Sequence, residues 1–131
     1  MIDAALLSRV TSESVHFATD DEVDDVRDAL LRTSNVYESG EVATDRDSLL
    51  RILADAMRIA DGFGENWEAV VDGLRCLEAV GARRGFVLLL HHAKRLWREA
   101  PDAAGTLIET WLSVAEERRA YDEPFHLVFV W

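Results

Sequence analysis

Four short apolar runs stand out along the chain: VHFA at 15–18, NVYE at 35–38, FVLLLH at 86–91 and FHLVFVW at 125–131. Each has the length of a strand, and the third is apolar almost throughout, as expected of a strand covered on both faces. Between the runs, apolar positions recur at helical spacing over 20–32, 47–59, 66–80, 93–99 and 103–120. In the second of these segments the repeating positions are Leu49, Leu50, Leu53, Ala56 and Met57; in the last they are Leu107, Ile108, Trp111, Leu112 and Ala115. Strands alternating with helices predict a small α/β domain around a mainly parallel sheet. Thr19 followed three residues later by Glu22 is a capping-box signature for the first helix. Pro101 and Pro124 stand where elements should begin, and no proline-rich linker, repeat or low-complexity tract divides the chain. Residues 1–131 therefore read as a single domain.

The helix predicted at 66–80 has an unusual lead-in and an unusual flank. In GFGENWEAVVDG, residues 62–73, Gly62 and Gly64 bracket Phe63 in what reads as a turn, and Asn66 is placed to cap a helix that begins at Trp67. At about 100° per residue, Trp67, Val70, Val71, Leu74 and Leu77 share one arc, which should face the core. Glu68, Asp72 and Arg75 share a neighbouring arc, and Ala69, Gly73 and Cys76 form a third made only of small side chains. Glycine inside a helix costs about 1 kcal/mol relative to alanine, so something should approach closely at Gly73. That could be a partner, or a neighbouring element of the same chain with Glu68 and Asp72 simply solvated.

Charge narrows the partners. The 25 Asp and Glu against 14 Lys and Arg leave a formal net charge of −11. Such a protein repels nucleic acid and anionic membrane and attracts cationic surfaces, so the expected partner is basic. The run DDEVDDVRD at 20–28 holds six acids in nine residues. It could be a docking surface, but acids in the first turns of a helix complement its dipole, and a solvated face is the preferred reading. Cys76 is the only cysteine, which excludes an intramolecular disulfide and a cysteine metal cage. The start of the chain lacks the pattern of a signal peptide and FVLLL is too short to span a bilayer, so the expected location is the cytoplasm.

No enzymatic pattern emerges. Two acids on successive turns of one helix flank lack the contrasting environments that separate an acid from a base. They have no nearby histidine, and His91 and His92 would point to opposite sides at a strand end. Neither a phosphate-binding loop nor a dinucleotide fingerprint is present. No catalytic residue, metal or cofactor is expected. Trp67, Trp97, Trp111 and Trp131 read as core residues, Arg118 and Arg119 as decoration of the last long helix, and Cys76 as a partly buried, inert thiol.

The segment ADGFGENWEAVVDGLRCL, residues 60–77, resembles the signature of the barstar family, intracellular inhibitors of secreted microbial ribonucleases. That pattern runs approximately P-x-Y-F-G-x-N-W-D-A-L-x-D-C-L. GFVLLLHHAKRLW is similar to the family's central strand and following turn, and EPFHLVFVW to its terminal strand, so residues 34–131 are covered. The resemblance implies a barstar-like α/β domain: a parallel three-stranded sheet packed with helices, with residues 1–33 adding an N-terminal strand and helix. It also implies a non-enzymatic inhibitor, monomeric when free, that binds one secreted guanyl-specific ribonuclease one to one. Its helix and leading turn would plug the active site and exclude RNA. By position, Asp72 would sit where a substrate phosphate sits, and Glu68 matches the neighbouring acid. Phe63, Gly64 and Asn66 match the leading turn, and Gly62, Val71 and Gly73 belong to the same expected partner-binding surface. The sequence departs from the pattern in lacking the proline before the loop, in Gly62 where an aromatic is usual, and in Glu68, Val70 and Gly73 where aspartate, leucine and cysteine are usual. These departures keep open a second reading, an immunity protein of the same fold that neutralises a toxin other than a ribonuclease.

Overall fold

A computed structural model describes residues 2–59, 66–78 and 83–131. Strands β1 (Val15–Ala18), β2 (Ser34–Ser39), β3 (Gly85–Leu90) and β4 (Phe125–Val130) form one sheet in the order β1-β4-β3-β2, and every pairing is parallel. Among the described residues there are six helices: α1 (Ala4–Leu7), α2 (Asp20–Thr33), α3 (Arg46–Ala56), α4 (Trp67–Arg75), α5 (Ala93–Glu99) and α6 (Pro101–Arg119). The result is the mixed α/β domain that alternation of strands and helices predicts.

The period-two alternation of side chains along a strand divides the core in two. Phe86, Leu88 and Leu90 of β3 and Phe125, Leu127 and Phe129 of β4 point to one face, where α3, α4, α5 and α6 bury them. Val87 and Leu89 with Val128 and Val130 point to the other face, under Leu7 of α1 and Val23 and Leu30 of α2. Both central strands are therefore buried throughout, which is why their sequences read as unbroken apolar runs. The residues before β2 do two things: β1 pairs with the outer edge of β4, and α1 and α2 cover the second face.

Local chemistry explains the boundaries, including those the periodicity misplaces. The Thr19 capping box forms as expected, with the Glu22 N–H donating to Thr19 Oγ1 at 3.3 Å and the Thr19 N–H to Glu22 Oε1 at 3.4 Å. Pro101 occupies the first turn of α6 and Pro124 directly precedes β4. Helix α1 was not expected, because its four residues are too short to show a period; Asp3 caps it by accepting from the Leu6 N–H at 2.6 Å. Helix α3 ends at Ala56 rather than 59 because Arg58 turns left-handed (φ 55°) and the Ile59 N–H bonds back to the Ala54 carbonyl at 2.9 Å.

Two polar clusters tie the N-terminal elements to the sheet. His126 donates from Nε2 to the Arg9 carbonyl (2.8 Å), so its Nδ1 is the acceptor for His16 Nε2 at 2.9 Å. Burial first, and then the neighbouring His126, lowers His16 to about 4; burial also lowers His126. On the same side Glu38 takes Arg27 at 2.6 Å and also meets His91, whose other nitrogen faces Asp20 at 3.2 Å. Of the tryptophans read as core, Trp111 is fully buried and stacks on Phe125 at 4.1 Å, and Trp67 and Trp97 pack partly buried. Trp131 departs from that reading: 48% exposed, it lies edge-on to the equally exposed Phe17 at 5.9 Å.

Candidate functional site

The helix that sequence reasoning singled out is α4, and it is secured at both ends. Asn66 accepts the Ala69 N–H at 2.8 Å, the cap expected from its position. Val70 and Leu74 are buried, with Trp67, Val71 and Leu77 packed partly buried beside them, so the predicted apolar arc faces the core. Rotation about the axis then leaves Glu68, Asp72 and Arg75 exposed. Gly73 is buried: a Cβ there would lie 2.6 Å from Ile59 Cγ2 and 2.9 Å from its Cδ1. The close approach at Gly73 is thus made by the chain's own Ile59, which the left-handed turn at Arg58 delivers. Cys76 follows the helix as an exposed thiol rather than a partly buried one.

The far end of α4 is held by a residue that sequence reasoning placed on the surface. Arg118 of α6 is buried, and its Nη2 donates to the carbonyls of Leu74 (2.7 Å), Leu77 (2.9 Å) and Arg75 (3.3 Å). Its Nη1 reaches Glu123 at 3.2 Å, and the guanidinium lies over the rings of Phe86 (4.5 Å) and Phe125 (5.2 Å). Burial pushes this guanidinium's pKa down, while Glu123 opposes the shift. One cation therefore satisfies carbonyls that a helix terminus leaves orphaned and bolts that terminus to the sheet. This contact also explains why the helix ends at Arg75 and not at 80: its last carbonyls are captured from another element. The backbone oxygens that Arg118 binds lie 41 to 44 positions away, and no residue pattern announces them.

The exposed flank is electrostatically asymmetric. Arg75 forks onto Glu117 of α6, with Nε to Oε2 at 2.8 Å and Nη2 to Oε1 at 2.6 Å, and its Nη1 stands 3.9 Å from Asp72 Oδ1. The hydrogen bond from Arg75 holds the Glu117 carboxyl below the usual range. Glu68 has no partner among the described residues. Beside this flank an open cleft of about 450 Å³ separates the ends of α4 and α6, lined by Arg75, Glu117, Arg118 and Tyr121 among others. Gly62, Phe63 and Gly64 lie outside the described residues, so Asn66 is the described part of the leading turn.

A carboxylate pair on a rigid helix can receive a cation or a cationic side chain. Among the described residues no group of three or more His, Cys, Asp or Glu could hold a metal ion, and no helix is long and apolar enough to cross a membrane. The family model described as Barstar (barnase inhibitor) matches residues 33–130. No curated protein matches the chain. The match takes in the sheet from β2 to β4 and every helix from α3 onward, and the chain belongs to the barstar family, a family of inhibitors rather than catalysts.

Proposed function

We propose, from membership of the barstar family, that this protein is a cytoplasmic inhibitor that binds a secreted guanyl-specific ribonuclease one to one and protects the cell that makes the enzyme. The observation that carries this reading is the presentation of Asp72 and Glu68, both exposed, on a helix fastened at both ends. A ribonuclease stabilises a phosphate at its transition state with cations and hydrogen-bond donors. A carboxylate that arrives preorganised competes for the same donors, so Asp72 stands in for the phosphate and Glu68 supports it. Because the helix is already ordered, little conformational entropy is lost on docking. The net charge of −11 draws the inhibitor toward a basic cleft and makes the association rate fall with salt. In this reading residues 34–131 carry the inhibitory core, and residues 1–33 are an extension that covers the second face of the sheet.

The test is a titration of RNA cleavage by guanyl-specific ribonucleases with the protein and with Asp72→Asn. Inhibition that is stoichiometric, sensitive to salt and lost in the variant is the expected result. Unchanged inhibition by Asp72→Asn would sink the mechanism. The glycine at position 62, where the family usually has an aromatic, favours one alternative: an immunity protein of this fold directed at a different toxin. A basic, non-ribonuclease toxin captured by the protein, with no effect on any guanyl-specific ribonuclease, would select it.

A further inference from the structure

The asymmetry of the acidic flank points to a role for Arg75. We propose that Arg75 is a built-in competitor: it fills the cationic seat between Asp72 and Glu117 that a basic partner's guanidinium would take, and so limits which partners the face binds and how fast. This proposal rests on the reading of α4 as the partner-binding helix.

Three observations support it. First, Arg75 lies one turn below Asp72 and occupies both oxygens of Glu117 in a bidentate fork, the geometry that a partner arginine would itself adopt. A cation approaching Asp72 from that side meets a like charge, and both oxygens of Glu117 already accept from Arg75. Second, the clamp is light. The two side chains are 47% and 46% exposed, as in surface pairs whose opening costs the fold little. Third, among the described residues the guanidinium of Arg75 holds only side-chain carboxylates, whereas the buried Arg118 holds the backbone. A cation that binds only the face's own acids subtracts from the field that face presents.

The decisive comparison is Arg75→Gln against wild type, with Arg95→Gln as the control. Arg95 pairs with Glu99 on α5 at 2.9 Å, so its loss changes the net charge equally and breaks the same class of ion pair elsewhere. Association with a barnase-type ribonuclease is followed by stopped flow at low and high salt, and binding of an oligoarginine peptide by calorimetry. Arg75→Gln should associate about 3- to 10-fold faster than wild type at low salt, with the difference shrinking at high salt. It should also bind oligoarginine more tightly, an increase abolished when Asp72→Asn is added, while Arg95→Gln behaves as wild type. Association no faster than wild type, oligoarginine binding no tighter, or an equal gain in Arg95→Gln would overturn the proposal. If the ribonuclease binds neither protein while oligoarginine still prefers Arg75→Gln, the ribonuclease reading fails and the competitor stands.

Discussion

The two acidic helices use their charge in opposite ways. Helix α2 opens with six acids in nine residues, whereas α4 carries only Glu68 and Asp72. In α2 half of the six acids are taken up by the fold: Glu22 closes the capping box, Asp20 meets His91, and Asp24 shares Arg27 with Glu38. Asp21, Asp25 and Asp28 are exposed on the same helix, where the early ones complement its dipole. In α4, Glu68 has no partner among the described residues and Asp72 has only Arg75 at 3.9 Å. The count of charges, paired or unpaired, thus says less about a binding face than the helix that presents them: α4 is fastened at both ends, by Asn66 and by Arg118.

The sharpest way to break this comparison is to neutralise one acid on each helix. Asp72→Asn should weaken binding of a cognate ribonuclease by about 2–5 kcal/mol, the usual cost of removing one partner from a buried, hydrogen-bonded charge pair. Asp25→Asn should change Kd less than about two-fold. Equal losses in calorimetric titrations would erase the distinction between the helices.

Next in size is the anchor beneath α4. Arg118→Met leaves the carbonyls of Leu74 and Leu77 without their donor and should cost about 2–4 kcal/mol in urea unfolding. Hydrogen exchange should then show α4 losing protection ahead of α2; the reverse order would mean that Arg118 is not what holds the helix.

Acid should separate the two regions the other way. His16 is held at about 4 against an ordinary 6.5, so the unfolded chain binds a proton in that window that the folded chain excludes. Stability is therefore full above pH 6.5 and falls as pH drops toward about 4. Exchange at pH 5 compared with pH 7 should show β1 and α2 opening first, and α4 opening first would contradict the anchoring role of the histidine pair.

The smallest effect is expected at Gly73. Alanine recovers about 1 kcal/mol of helix propensity but drives its Cβ into Ile59, for a net loss of about 1 kcal/mol in thermal melts. In a double-mutant cycle with Ile59→Ala the two losses should fall short of additive, since the second change empties the space the first one needs.

What could be read from the sequence divides along the same physical line. The arcs of α4 and the cap at Asn66 were legible because helical period and capping chemistry are local. The strand β1 was legible to its last residue because Thr19 begins the next element directly behind it. Arg118 and Ile59 were not legible: one binds carbonyls, which every residue has, and the other meets a glycine across a tertiary gap. Trp131 misled because a tryptophan beside an apolar strand looks like core, yet the ring lies at the edge of the sheet against Phe17. Of the leading turn, Gly62, Phe63 and Gly64 lie outside the described residues.

The sheet order carries a consequence for biosynthesis. His16 and His126 are 110 residues apart along the chain yet bonded across neighbouring strands. On the ribosome β1 is made about 110 residues ahead of the strand it must pair with. Arg118, which fastens α4, emerges 41 to 44 residues after the carbonyls it holds. The edge of the sheet cannot be completed before β4 has been made, nor the anchored helix before α6, so both wait on contacts of long sequence separation.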